Sequence, residues 1–224
     1  MRRGPRVHFC FQSPYSWLAL QRLGTRAREL EFVPFWSPDP ETDKALTARG
    51  ATFHYAQMSK AKHLYLLYDT KREAAKLGLS MRWPVDIEPW WELPHLAFLR
   101  ARELGAAEEF YAEVCAARWG RGEDICTEDV IAGVARRCGL PVDPVVQAAA
   151  DPEIRAAGVE CLYRAYEDDI FGIPYFRVGR HRFWGLDRVD GFLAELDARE
   201  PAPPVEPPVL VGSPYDTDTS GGCG

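Results

Sequence analysis

The sequence predicts an α/β domain interrupted by an all-helical insertion. Three observations carry that prediction. A strand–helix–strand pattern fills the first forty residues, helical periodicity runs without a strand signal from 58 to 166, and strand pattern returns after residue 172 before one last helix. The chain has 224 residues, 46% of them hydrophobic and 27% charged, which excludes wholesale disorder and fits one large domain with a substantial insertion. Its 27 Lys and Arg against 33 Asp and Glu leave a formal charge of −6, so no general attraction to nucleic acid or to an anionic membrane follows. No apolar run approaches the length of a membrane span. Met1 to Arg6 is basic but passes straight into a strand pattern, with no apolar signal core. These features together predict a soluble, cytoplasmic protein.

Val7 to Phe11 alternates as a short strand. Ser13 then stands as a helix cap with Pro14 at the first helical position, and Trp17, Leu18, Leu20 and Leu23 follow at helical spacing. Leu30 to Trp36 is a second strand, closed by Ser37-Pro38-Asp39-Pro40. Met58 to Leu77 is a long amphipathic helix ended by Gly78, with Leu64, Leu67 and Leu77 on its apolar side. Residues 83 to 94, rich in Pro and Trp, form an ordered, extended connection. Helices follow over 96–104, 106–119, 127–138 and 152–166, punctuated by Gly105, Gly122 and Gly139. Ile173 to Val178 and His181 to Trp184 form a hairpin about Gly179-Arg180. Asp187 caps the last helix, whose Val189, Phe192, Leu193 and Leu196 face inward.

The resulting order, β-α-β, helices, β-β-α, is that of a thioredoxin-like fold split by a helical insertion. Residues 1–55 and 167–200 make the thioredoxin-like part, 56–166 the insertion, and 201–224 a flexible Pro- and Gly-rich tail. The six cysteines, at 10, 115, 126, 138, 161 and 223, form no Cys-x-x-Cys or Cys-x-x-His pair, which argues against a metal site. The first five sit in apolar or amphipathic patterns and read as reduced, buried thiols, while Cys223 lies in the tail.

Three constellations carry candidate chemistry. Phe11-Gln12-Ser13-Pro14-Tyr15-Ser16-Trp17 lies where the first strand meets the first helix, and the helix start offers unpaired N–H groups and a positive dipole end. Disulfide oxidoreductases place Cys-x-x-Cys at this junction to stabilise a thiolate. Here serine stands at both positions, so the chain cannot run dithiol exchange, although the site could hold a thiolate brought by a small molecule. Ser13 could equally be a cap and no more, and no neighbouring base would make it a nucleophile. In Phe171-Gly172-Ile173-Pro174-Tyr175-Phe176 the proline is either a strand-start device or the cis-proline that a thioredoxin fold carries in this connection. Phe183-Trp184-Gly185-Leu186-Asp187-Arg188 offers a glycine turn, a carboxylate and helix N–H groups suited to a zwitterionic ligand.

Together these motifs resemble the 2-hydroxychromene-2-carboxylate isomerase family and its relatives, the kappa-class glutathione transferases. The likeness rests on Ser13-Pro14-Tyr15-Ser16, Phe171-Gly172-Ile173-Pro174 and Phe183-Trp184-Gly185-Leu186-Asp187-Arg188. It extends from about Val7 to Leu196, through Ala117-Arg118-Trp119-Gly120 and Glu123-Asp124-Ile125. The resemblance implies a DsbA-type thioredoxin fold, a homodimer, and glutathione or another low-molecular-weight thiol as cofactor. It implies that Ser13 donates a hydrogen bond to the sulfur, and that Ile173 and cis-Pro174 clamp the cysteinyl part. Leu186, Asp187 and Arg188 would then surround the γ-glutamyl end, and Lys62 and Asp69 supply charged contacts, unless they form only a solvated helix face.

Four features depart from the family pattern, the first being that the tail after Pro201 has no counterpart in it. The loop from Gly50 to His54 lacks the family's asparagine, Leu186 replaces a small or polar residue, and His95 stands where isomerases carry an asparagine. Tyr15, Trp36 and His95 are the candidate substrate-pocket residues, and Phe53, Trp83, Trp90 and Trp91 add aromatic surface suited to a flat substrate. The implied activity is cis–trans isomerisation of a conjugated small molecule, by thiol addition, rotation and elimination. The alternatives are a kappa-like transferase and a binding protein that has lost the thiol site.

Overall fold

Val7 and Phe9 of the first strand alternate with Arg6 and His8, and this pleat organises the structure around them. In a computed structural model that describes residues 4–53 and 58–198, β1 (Arg6–Phe9) pairs in parallel with β2 (Glu31–Pro34) across α1 (Pro14–Leu23). On its other side β1 pairs antiparallel with β3 (Tyr175–Val178), which turns at Gly179 into β4 (His181–Trp184), giving the order β2-β1-β3-β4. Helix α9 (Val189–Asp197) closes the chain. This is the thioredoxin arrangement that the element order predicts. His54, the tail from 201 and Cys223 lie outside the described residues.

Cross-strand pairing puts Val7, Phe9, Phe32 and Phe176 on one sheet face. Phe9 meets Phe98 and Tyr111 edge-on at 5.2 and 5.0 Å, and Phe176 stacks on Phe192 of α9 at 4.9 Å. The opposite face holds Arg6, His8 and Arg177 around Asp168, which accepts from Arg6 Nε and Nη2 at 3.0 and 2.7 Å. Three cationic or basic groups around one carboxylate are tolerable in this buried setting because the pairing is direct and hydrogen-bonded.

Between β2 and β3 the chain folds α2 (Pro40–Ala48), α3 (Lys60–Lys76), α4 (Glu92–Glu103), α5 (Ala107–Cys115), α6 (Glu128–Arg137), α7 (Val142–Val146) and α8 (Pro152–Glu167). Helix α4 is buried on nearly every side, from Glu92 to Leu99, and joins the aromatic face of the sheet to the other helices. Gly158 of α8 lets it approach closely, since a Cβ there would lie 2.6 Å from Leu96.

Several elements differ from the sequence expectation. Helix α4 begins at Glu92, inside the segment expected to be extended, because Pro94 sits in its first turn, where no N–H is needed. Helix α2 was not expected at all. Asp39 caps it by accepting from Thr42 N–H at 2.9 Å, with Pro40 at its first position, so Ser37-Pro38-Asp39-Pro40 starts a helix as well as ending a strand. Helix α7 is also additional. Helix α5 stops at Cys115 and continues as a π-helical turn over Ala116–Arg121, ended by Gly122 at φ 74°. On α3 two of the three expected inward leucines do not seat, and Leu67 is half-buried. Leu64 is 44% and Leu77 38% exposed, and Thr70 and Ala74 are its buried residues. The Asp187 cap is likewise overturned. A 3-10 turn over Leu186–Arg188 precedes α9, no side chain caps either element, and Asp187 Oδ2 instead pairs with Arg188 at 2.9 Å.

Candidate active site

Ser13 and Pro14 start α1 as their types dictate. Ser13 adopts an extended conformation and its Oγ accepts from Ser16 N–H at 3.2 Å. The cap is therefore real. It uses only the acceptor side of the hydroxyl, and among the described residues neither the Ser13 O–H nor the Tyr15 N–H has an acceptor. Both belong to the amino terminus of α1, where the helix dipole adds about half a positive charge.

The turn leading to Ser13 is held from below. Phe11 N–H donates to His95 Nε2 at 3.1 Å, and His95 Nδ1 lies 2.6 Å from Trp91 O, so the ring is the neutral tautomer with its proton on Nδ1. Burial lowers His95 to about 3, with the Arg118 charge acting in the same direction. Ser16 Oγ accepts from Cys10 N–H at 3.4 Å, and Gln12 N–H donates to Cys10 Sγ at 3.3 Å. Burial pushes the Cys10 thiol up to about 12, so it stays protonated and is no nucleophile.

Across the cleft the Ile173–Pro174 bond is cis. Pro174 C=O accepts from Gly185 N–H at 3.0 Å, which ties the second sequence constellation to the third. Gly185 stands at φ 102°, and a Cβ at Gly172 would strike the Trp184 indole at 2.5 Å, so both positions require glycine. The Ile173 N–H and C=O have no hydrogen-bond partner among the described residues. Asp187 and Arg188 are exposed at the rim.

The remaining wall is α3. Tyr15 O–H donates to Asp69 Oδ2 at 2.6 Å, and Tyr65 O–H and Arg72 reach Oδ1. Burial would raise the Asp69 carboxyl, but hydrogen bonds from Tyr15, Arg72 and Tyr65 hold it below the usual range. Burial and then the Asp69 carboxylate push the Tyr15 hydroxyl up. Asp69 thus fastens Tyr15 to α3 with both oxygens engaged by the protein.

One cleft of about 1320 Å³ brings these pieces together. Ser13, Tyr15, Ile173 and Pro174 line it, as do Lys62 and Asp69 of α3 and the run Leu186, Asp187 and Arg188. Trp36 and His95 do not. They stack on each other at 5.0 Å, 3% and 0% exposed, because α4 is a core helix and His95 serves the backbone of the Ser13 turn. Among the other aromatics, Trp83 lines the cleft. Phe53 packs on Phe35 at 5.2 Å, Trp91 is buried, and Trp90 donates to Asp39 at 3.2 Å.

Among the lining groups that sequence reasoning left without a role are the Trp184 indole and the ion pair of Asp86 with Arg118. The glycine before the strand was a signal for the first, and an arginine inside the apolar Ala117–Trp119 run a signal for the second. Among the described residues no three His, Cys, Asp or Glu side chains group so as to hold a metal ion, and no helix is long and apolar enough to cross a membrane.

A thioredoxin sheet, a helix amino terminus and a cis-proline converging on one cleft define a class, and the chain belongs to it. Residues 6–197 match the DSBA-like thioredoxin domain family. Within known proteins, the chain is 28% identical over 192 residues to the 2-hydroxychromene-2-carboxylate isomerase of Sphingobium xenophagum, spanning 82% of this chain and 92% of that one. It is 24% identical over 182 residues to the enzyme of the same name from Pseudomonas putida, spanning 81% and 88%. A solved structure of 2-hydroxychromene-2-carboxylate isomerase superimposes with a TM-score of 0.68 over 86% of this chain and 93% of that one, at 23% identity.

Proposed function

We propose that the protein is a thiol-dependent cis–trans isomerase of a conjugated, unsaturated small molecule, of the 2-hydroxychromene-2-carboxylate isomerase type. The observation that carries this reading is the convergence in one cleft of the free Ser13 hydroxyl, the unpaired Ile173 backbone beside cis-Pro174, and the Asp187–Arg188 rim, with serine where a redox pair would need cysteines. The names of the two relatives support the same reaction class.

A peptide thiol such as glutathione fits the residues present. The Ser13 O–H and Tyr15 N–H are donors suited to a sulfur anion, the Ile173 N–H and C=O are suited to an amide, and Asp187, Arg188 and Lys62 are suited to amino-acid charges. When bound, the thiol supplies a sulfur nucleophile able to add reversibly to an activated alkene and so free the bond to rotate. The protein's part is electrostatic and positional. Ser13 and the start of α1 offset negative charge at the sulfur, worth about 1.5–3 kcal/mol for one charge-assisted hydrogen bond. Asp69 fixes Tyr15 at the cleft wall, and the protonated Cys10 stays out of the chemistry. A homodimer belongs to the same reading, for which Val85 and Ile87, 75% and 76% exposed, provide apolar surface.

The test is isomerisation of 2-hydroxychromene-2-carboxylate with and without glutathione. The reading expects turnover that requires the thiol without consuming it, and a loss of about one to two decades in rate in Ser13→Ala. Stoichiometric consumption of thiol would identify a transferase instead. Absence of thiol binding by isothermal titration would leave a binding protein that has lost the site.

A further inference from the structure

The thiol reading gives no part to the charged group at the inner end of the cleft. Arg118 is 1% exposed, and its guanidinium lies 5.0 Å from the Trp91 ring centroid and 4.7 Å from that of Trp119. Its two terminal nitrogens donate to the two oxygens of Asp86, each at 2.8 Å. Among the described residues its Nε has no acceptor, nor does the Nε1 of Trp83, which packs edge-on against Trp119 at 5.4 Å. Trp83, Asp86 and Arg118 all line the cleft that Ser13 lines.

The two halves of this ion pair are embedded very differently. Arg118 sits in a buried π-helical turn. Asp86 sits on an exposed connection, between Val85 and Ile87, and Glu88 just beyond it holds φ 46°, a conformation that side chains other than glycine rarely adopt. The cation is fixed by packing, and its counter-ion is carried on an exposed connection. A planar cation packed on aromatic rings, with its own Nε–H unused among the described residues, is suited to a planar carboxylate on a flat conjugated skeleton. The charge of Arg118 also reaches the Ser13 turn, since it opposes the rise of the Cys10 thiol and adds to the fall of His95.

We propose that Arg118 is the recognition site for the substrate's carboxylate, which takes the place of Asp86 on the guanidinium. The proposal deepens the isomerase reading and rests on it for the substrate's conjugated skeleton. It makes the cleft selective for conjugated acids over their neutral analogues, with the anionic end directed to Arg118 and the reacting carbons toward Ser13.

The test is a binding titration of the full chain, without thiol, by intrinsic tryptophan fluorescence, using salicylate and its neutral analogue salicylamide. Wild type should bind salicylate about tenfold or more tightly than salicylamide, as one charge-assisted pair provides. Asp86→Asn removes the competing carboxylate and should tighten salicylate by about tenfold while leaving salicylamide unchanged. Arg118→Gln should abolish the preference, and if that variant does not fold, Asp86→Asn decides alone. Equal binding of the two probes by wild type, or salicylate binding that Asp86→Asn does not tighten, would overturn the proposal and reduce the pair to a clamp on the connection. Because the titration contains no thiol, its outcome is separate from that of the glutathione-dependence assay.

Discussion

The β1–α1 turn reaches Ser13 on a base of buried partners, whereas α3, facing it across the cleft, is a 17-residue helix with two buried residues. Beneath the turn, His95 accepts from Phe11 N–H, Ser16 from Cys10 N–H, and Trp36 stacks on His95. Helix α3 is tied chiefly through Tyr15 and Asp69, and its Leu64, Tyr65 and Tyr68 remain exposed. The difference separates two requirements. The group proposed to meet developing charge is pre-organised by a satisfied polar network, while the wall proposed to accommodate a ligand is held, among the described residues, at one polar point.

The largest expected effect breaks the rigid side. His95→Ala leaves Phe11 N–H and Trp91 C=O unpaired inside the protein and opens a void under Trp36, so it should cost about 3 kcal/mol or more. Leu64→Ala on α3 should stay within about 0.5 kcal/mol. Urea denaturation of both variants measures the contrast, and equal losses would erase it.

The same network predicts a pH dependence. The folded value of His95, about 3, lies below that of an unfolded histidine, so on acidification the unfolded chain takes the proton first. Stability from this group is complete above about pH 6.5 and declines by about 1.4 kcal/mol per unit until the folded histidine protonates near 3. Burial also lowers His8, which adds a loss of the same sign. His95→Asn should therefore reduce the acid slope without abolishing it. An unchanged slope would mean that His95 is not held neutral by burial.

A smaller effect belongs to the α3 side. Tyr15→Phe removes the hydroxyl from Asp69 and should cost about 1 kcal/mol, less than a buried charge-assisted bond because the pair is half exposed. Protection of α3 amides from hydrogen exchange should fall while that of α4 stays level. Loss of protection in α4 as well would mean that the two walls are one cooperative unit.

The sequence made legible what local chemistry decides. Ser13-Pro14 starts a helix, Gly172-Ile173-Pro174 leads into a strand, and Gly185 turns the chain back to the cleft, whereas the cis bond at Pro174 followed from the fold resemblance and not from local chemistry. It did not reveal what only tertiary packing decides. Trp36 and His95 had the types of pocket residues, but the surroundings of α4 make them core. Asp39-Pro40 carried the same cap-and-proline signal as Ser13-Pro14, but α2 buries only Thr42 and Leu46, so little apolar spacing followed to mark a helix. The leucines of α3 had helical spacing, but spacing does not say whether a face is covered. Arg118 and Asp86 are 32 residues apart, and no local pattern joins them.

The central claim is that the amino terminus of α1 and the Ser13 hydroxyl stabilise a thiolate, and the most direct measurement is the ionisation of glutathione bound to the protein. Its sulfur can be titrated through the ultraviolet absorbance of the thiolate, in wild type and in Ser13→Ala. The account predicts that binding lowers the thiol from about 8.5, and that Ser13→Ala returns it toward that value by about one to two units. A bound thiol that ionises at the same pH as the free one, with or without Ser13, would contradict it.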